Sequence, residues 1–245
     1  MNQLVEFHLP RVTSTNDYAR TLMDDHAFVL VTALFQTAGR GRNGRQWVGD
    51  HGANIYASFG MQHQHVPTLE DVSAFMARGA LSVRNAIMGV LRDRTIRLKY
   101  PNDVQVRTDG GWAKIAGILV EHEFHGARCA STIVGIGVNV EQVEFPETIT
   151  QPCTSLRKLG IDVSTHQILT AIRDSFVRYC DMPWQDVHQE WVDALQLNAV
   201  RVMLSDSASP HTPMRVMHDG RLVLRNEDTH HERIISDGDT LRYLD

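Results

Sequence analysis

The sequence predicts an α+β fold: a mixed β-sheet flanked by helices over residues 1–198, then a small β domain over residues 199–245. Two patterns carry this expectation. In the first part, short strand-like runs are interspersed with stretches whose apolar residues recur every three or four positions. From Ala199 onward the pattern changes to brief apolar alternations broken by turn residues.

The elements follow in order. Residues 4–9 alternate apolar and polar, as a short strand does. Residues 14–23 read as a helix, with Ser14 or Thr15 at the N-cap and Asp17 in the first turn. Residues 28–35 form a continuous apolar run of strand length, and 55–61 the next strand candidate. Met76, Ala80, Val83, Ile87 and Val90 share one helical face within 72–91. Residues 95–100 and 104–106 are strand-like around Pro101-Asn102-Asp103, and 115–124 and 132–140 look like long β partners. Ile168, Ile172 and Phe176 mark a helix over 167–180; Val187, Trp191 and Leu195 mark another over 184–197. In the last part Asp219-Gly220 and Asp237-Gly238 carry the hairpin signal. A β unit of about 45 residues has a marginal core of its own, so it should pack on the larger part.

Bulk properties exclude several classes. An apolar content of 42% and a charged content of 22% are ordinary for a globular protein. The net charge of -5 argues against a general nucleic-acid binder. No run approaches the ~18 apolar residues of a membrane span. The first ten residues lack the pattern of a signal peptide, so the expected location is the cytoplasm. Cys129, Cys153 and Cys180 are odd in number and widely spaced, which fits reduced thiols better than disulfides or a zinc site.

The most informative stretch is Gly39-Arg40-Gly41-Arg42-Asn43-Gly44-Arg45, followed by Gln46-Trp47. Glycines let a backbone turn sharply and approach a ligand. Arginine forks match carboxylate and phosphate oxygens. Trp47 beside them offers a stacking surface for a base. The alternative is a solvated basic loop. The glycines satisfy G-x-G-x-x-G, but no amphipathic helix follows, so a dinucleotide fold is rejected. No Walker lysine is present. Lys99-Tyr100-Pro101-Asn102-Asp103 sets a cation, an amide and a carboxylate around a turn, itself a common turn sequence. Lys114 opens an otherwise buried-looking strand, which costs desolvation unless it meets an anion or reaches water. Gly135 and Gly137 in a strand allow close approach. His122-Glu123-Phe124-His125 is one residue short of a zinc motif, and His63/His65 and His230/His231 read as exposed loop residues.

Taken together, Ser14-Thr15-Asn16, the Gln36 to Trp47 segment, Gly52-Ala53-Asn54-Ile55-Tyr56, Lys99 to Asp103, Lys114 to Glu121 and Gly135 to Asn139 strongly resemble biotin–protein ligases. Thr154-Ser155-Leu156 fits a common later segment. The resemblance covers roughly residues 10–159. It implies a class II aminoacyl-tRNA-synthetase-like catalytic domain and a small SH3-like β-barrel. It also implies a reaction in which biotin and MgATP give biotinyl-5′-adenylate, whose acyl group passes to a lysine of a biotin carboxyl carrier domain of acetyl-CoA carboxylase or a related carboxylase. By the same resemblance Ser14, Thr15, Asn16, Gln36, Gly39, Arg40 and Gly117 line the biotin end. Lys114 bridges the biotin carboxylate and the phosphate, with Arg42 and Asp103 also catalytic. Arg42, Arg45, Trp47, Lys99, Asn102 and Asn139 take ATP. The metal ligands are left open: Mg²⁺ comes with ATP, and Asp103 is placed for the metal or for the incoming lysine.

Departures from the family pattern are Asn43, where an arginine is common, and a poorly matched glycine-rich segment between Val202 and Val223. No helix-turn-helix fits in the residues before Val12, so no DNA partner is expected; the oligomeric state, a homodimer included, stays open. The rivals are a lipoate or octanoate ligase of the same fold and a non-catalytic biotin-binding or carrier-binding protein.

Overall fold

The computed structural model describes residues 3–63, 68–91, 95–126, 128–236, 238 and 240–244. His65 and Asp237, singled out above, lie outside the described residues. The elements of the larger part are β1 (Val5–Leu9), α1 (Thr15–Thr21), β2 (Phe28–Ala33), β3 (Asn54–Gln62), α2 (Leu69–Met88), β4 (Ile96–Lys99), β5 (Asp103–Thr108), β6 (Gly111–His125), β7 (Arg128–Asn139), α3 (Thr165–Asp181) and α4 (Trp184–Leu195). The C-terminal part holds β8 (Val202–Leu204), β9 (His211–Val216), β10 (Leu222–Asn226), β11 (Glu232–Ile235) and β12 (Leu241–Tyr243).

A seven-stranded sheet runs in the order β1-β2-β3-β7-β6-β5-β4. β1 and β2 are parallel and the other neighbours antiparallel, so the sheet is mixed. Both faces are covered, which is why β2 is buried throughout and apolar but for Thr32. On one face Ala19 of α1 and Met23 just after it pack on Val29, Val31 and Ile133. On the other, α2, α3 and α4 close the main core, where Phe59 and Phe176 stack with ring centroids 4.0 Å apart. Ser14 caps α1 by accepting from Asp17 N, and Ser164 with Gln167 forms a capping box at α3.

The C-terminal sheet is antiparallel, in the order β11-β10-β9-β8-β12. Asp219-Gly220 turns between the paired strands β9 and β10, as the sequence predicts. The connection through Gly238 does not form a hairpin. It carries the chain from β11 at one edge to β12 at the other, where β12 pairs with β8. A dipeptide signal cannot reveal this, because closure on a distant strand is set by the whole sheet. Val202, Leu204, Leu222 and Leu224 belong to the same buried cluster as Trp191 and Tyr100. Four successive carbonyls of the β9–β10 turn are also held by side chains of the larger part. His188 Nε2 donates to Met217 O, Trp184 Nε1 to His218 O, Ser73 Oγ to Asp219 O and Tyr100 Oη to Gly220 O.

Candidate active site

A cleft of about 690 Å³ opens on the α1 side of the large sheet. Its floor is glycine. Gly117 of β6 faces Gly137 of β7 across the ladder, and Gly135 lies two residues along the same face. Side chains there would fill the space. A Cβ on Gly137 would collide with the Trp47 ring, and one on Gly135 with the Asn16 amide. Lys114 reaches this face through an irregularity that the sequence does not announce. Val104 pairs with Ala116 and Gln105 with Lys114, which leaves Ile115 as an extra residue in β6. Ile115 and Ala116 therefore both enter the core, and Lys114 and Gly117 both line the cleft. Such a bulge re-aims a side chain that strict alternation would place otherwise.

One end of the cleft is a compact polar network. Gln36 Oε1 accepts from Thr15 N at 2.7 Å and from Thr15 Oγ1 at 3.0 Å. Ser58 Oγ bonds Thr15 Oγ1 at 2.8 Å and donates to Asn16 Oδ1 at 2.6 Å, and Asn16 Nδ2 donates to Glu121. Ser14, Thr15, Asn16 and Ser58 are all buried. Behind them Arg40 grips Asp17 with both terminal nitrogens and also reaches Glu121. These carboxylates hold the Arg40 charge more firmly than usual. The Arg40 hydrogen bond in turn holds the Asp17 carboxyl below its ordinary range, against the opposing cost of burial. The three arginines of the loop are therefore not equivalent. Arg40 lines the cleft but spends its fork on structure, while Arg42 and Arg45 are turned to the far end.

That far end is cationic. Lys114 Nζ lies 2.7 Å from Asp103 Oδ1, both side chains being 13% exposed. Arg42 Nη1 donates to Asn102 Oδ1, and Asn102 Nδ2 donates to Ile118 O. Burial pushes the Lys99 ammonium down in pKa, opposed by Asp103 and reinforced by Lys114, Arg97 and Arg45. Four cations that line the cleft, Arg42, Arg45, Lys99 and Lys114, thus converge near a single carboxylate, an arrangement suited to an anion of several charges. Among the described residues, no group of three or more His, Cys, Asp or Glu side chains is placed to share a metal ion.

Trp47 spans the middle. Its ring lies on Gly117 and Gly137, with Lys114 Nζ 5.4 Å from the ring centroid. Trp47 N donates to Gly39 O, and Gly41 N donates to Arg45 O, so the loop closes on itself. Asn43 sits at φ 53°, ψ 41°, a left-handed conformation that asparagine tolerates better than arginine does. That gives the departure at this position a backbone reason. Asn139 is buried and donates to Thr154 O.

Of the ligand-binding and catalytic residues that the resemblance implies, all but Gly39 line this one cleft. Gly39 is buried behind it, where a Cβ would meet Trp47 O at 2.5 Å. Sequence reasoning missed Ser58 and the segment from Phe145 to Cys153, which borders the cleft as Lys114 N donates to Pro152 O and Thr154 N to Lys114 O. It also missed Gly238 and Leu241 from the C-terminal sheet. None carries a signal for the site; only chain folding brings them here. His63, expected on an exposed loop, is half-buried at the end of β3, bonded to the Thr132 hydroxyl that His122 also meets. His230 and His231 are exposed. The three cysteines are unpaired.

Comparison with known proteins agrees with this geometry. A protein of Mycobacterium tuberculosis named biotin–[acetyl-CoA-carboxylase] ligase is 36% identical over 135 residues, 54% of this chain and 46% of that protein. One of the same name from Paracoccus denitrificans is 32% identical over 180 residues, 70% of this chain and 71% of that protein. The chain spans about half the length of most of the curated relatives it matches. The fold is that of the biotin protein ligase from Aquifex aeolicus solved with biotin and ATP, with a TM-score of 0.72 and 24% identity over 98% of this chain and 99% of that one. Residues 8–139, more than half of the chain, match the family described as the biotin/lipoate A/B protein ligases, and the chain belongs to that family.

Proposed function

We propose that this protein activates biotin with MgATP to biotinyl-5′-adenylate, releasing pyrophosphate, and passes the acyl group to a lysine of a biotin carboxyl carrier domain of acetyl-CoA carboxylase or a related carboxylase. One observation carries the reading: a single cleft with a fixed neutral hydrogen-bonding network at one end and converging cations at the other, joined by a glycine floor. A ureido ring needs several preset polar partners, whereas a lipoyl or octanoyl chain needs an apolar tunnel. The Thr15–Gln36–Asn16–Ser58 network therefore favours biotin over the acids of the sister ligases. The names of the Mycobacterium and Paracoccus relatives, and the biotin and ATP in the Aquifex structure, point the same way.

In this reading Ser14, Thr15, Asn16 and Gln36 hold the ureido end, with Gly117 beneath the ligand and Gly39 and Arg40 bracing the loop. Trp47 and Asn139 receive adenine. Arg42, Arg45, Lys99 and Asn102 take the phosphates. Lys114 meets the biotin carboxylate and the α-phosphate, offsetting the repulsion between two anions and the charge that develops as they react. Leaving Asp103 for these ligands, Lys114 frees a carboxylate at the point where an acceptor lysine must lose a proton. Asp103 is the one carboxylate among the described lining residues. Magnesium commonly binds through one or two carboxylates, phosphate oxygens and water, so a single aspartate fits an ion that arrives with ATP and neutralises phosphate charge. The larger part is a class II synthetase-like catalytic domain over residues 1–198, and residues 199–245 an SH3-like barrel. A cytoplasmic location matches the three thiols.

The test is acid-dependent ATP–pyrophosphate exchange with magnesium, comparing biotin, lipoate and octanoate. Exchange with biotin alone is expected. Exchange with lipoate or octanoate alone would move the protein to the sister activity. Biotin binding without any exchange would make it a binding protein.

A further inference from the structure

The C-terminal part meets the Lys99–Pro101 turn, at the cationic end of the cleft, through Tyr243 and Gly238. Tyr243 of β12 accepts a hydrogen bond from Tyr100 N at 3.1 Å. Its ring faces two cations, with Arg97 Cζ 5.0 Å and Lys99 Nζ 5.4 Å from the centroid. The backbone of Gly238 closes on the same turn: a Cβ there would lie 2.5 Å from Pro101 Cδ and 2.6 Å from Tyr100 O. The Tyr100 hydroxyl meanwhile donates to Gly220 O at 3.0 Å, in the β9–β10 turn. Lys99, Tyr100 and Pro101 are thus gripped from both sides of the small sheet.

Lys99 is the residue with most to lose. Its ammonium is half-buried among three other cations, and the nearby Asp103 already pairs with Lys114. An aromatic face attracts a cation, more strongly once water is excluded, and it does so directionally. The Tyr243 ring therefore supplies both favourable charge and a fixed bearing for Lys99, while its hydroxyl fixes the backbone one residue on.

We propose that Tyr243 is a positioning residue for ATP: it sets the Lys99–Asp103 turn and aims the Lys99 ammonium at the triphosphate. This rests on the ligase reading above. The polar network around Thr15 and Gln36 lies at the other end of the cleft, so the effect should fall on one substrate.

The experiment measures KM for ATP and for biotin in pyrophosphate exchange, together with thermal unfolding, for the full chain and for Tyr243→Leu and Tyr243→Phe. The leucine variant loses ring and hydroxyl, so its KM for ATP should rise roughly 10-fold, in line with loss of a desolvated cation–π contact. The phenylalanine variant keeps the ring, and its rise should be about 3-fold, as expected for one neutral hydrogen bond. KM for biotin should stay unchanged in both. Equal changes in the two KM values, or a lower kcat with neither KM altered, would reduce Tyr243 to a structural role and overturn the proposal. If the leucine variant does not fold, the phenylalanine variant decides, and an unaltered KM for ATP overturns the proposal. Absence of biotin-dependent exchange in the unaltered protein would instead defeat the ligase reading itself, and this proposal with it.

Discussion

Lys114 and Asp103 share an ion pair in which neither side chain keeps much contact with water. Removing the lysine takes away a charged hydrogen-bond donor and strands a carboxylate. Lys114→Ala should slow adenylation roughly 10- to 100-fold, the equivalent of the ~1.5–3 kcal/mol of a charged hydrogen bond. Its circular dichroism should match the parent, because the β6 backbone contacts do not involve the side chain. Single-turnover adenylate formation at the parental rate would remove Lys114 from the chemistry. Asp17 makes a pH-dependent contribution at the other end. Arg40 and Arg20 hold its carboxyl below the ordinary aspartate value of about 3.9, so the folded state binds that proton less readily than the unfolded chain. The stabilisation is complete above that ordinary value and is lost as pH falls through the depressed folded value. The melting-temperature gap between the parent and Asp17→Asn should be constant from neutrality down to about pH 5. It should close in more acidic buffer, and a gap that widens there would refute the assignment.

At the scale of elements, the site depends on one sheet face being stripped of side chains. Gly135 is the sharpest case, since the Asn16 amide occupies the volume its Cβ would take. Asn16 is tied to Ser58 and Glu121, so it cannot withdraw without breaking the network. Gly135→Ala should therefore cost about 1–3 kcal/mol by overpacking, read from urea unfolding, and weaken biotin binding in calorimetry. Unchanged stability and affinity would mean that the N-terminus of α1 is free to shift. Much at this scale was legible in the sequence. The Ser14 cap, the apolar runs of β2 and β3 and the two helices after residue 160 follow from local periodicity and capping chemistry. The extra residue at Ile115 was not, because a bulge is defined only against the partner strand.

At the scale of the molecule, the two sheets share one continuous core and the four-carbonyl grip on the β9–β10 turn. A β unit of this size has little core of its own. Thermal unfolding should therefore give one cooperative transition with equal calorimetric and van't Hoff enthalpies. Two resolved transitions would show that the small sheet is stable by itself.

Short-range chemistry determined which residues could do the work. The Gly/Arg loop, Lys99 to Asp103, Lys114 and Asn139 stand out because glycine, arginine, and a lysine opening an apolar strand have local physical consequences wherever they occur. Only the tertiary structure decided how they divide the labour. Arg40 became a structural clasp because Asp17 and Glu121, far apart in sequence, meet it across the cleft. Ser58 and the Phe145–Cys153 segment joined the site, and Tyr243 came against the Tyr100 turn beside it, through contacts between residues tens to more than a hundred positions apart. No local pattern encodes such meetings. They follow from the sheet order and its burial, which the whole chain settles at once.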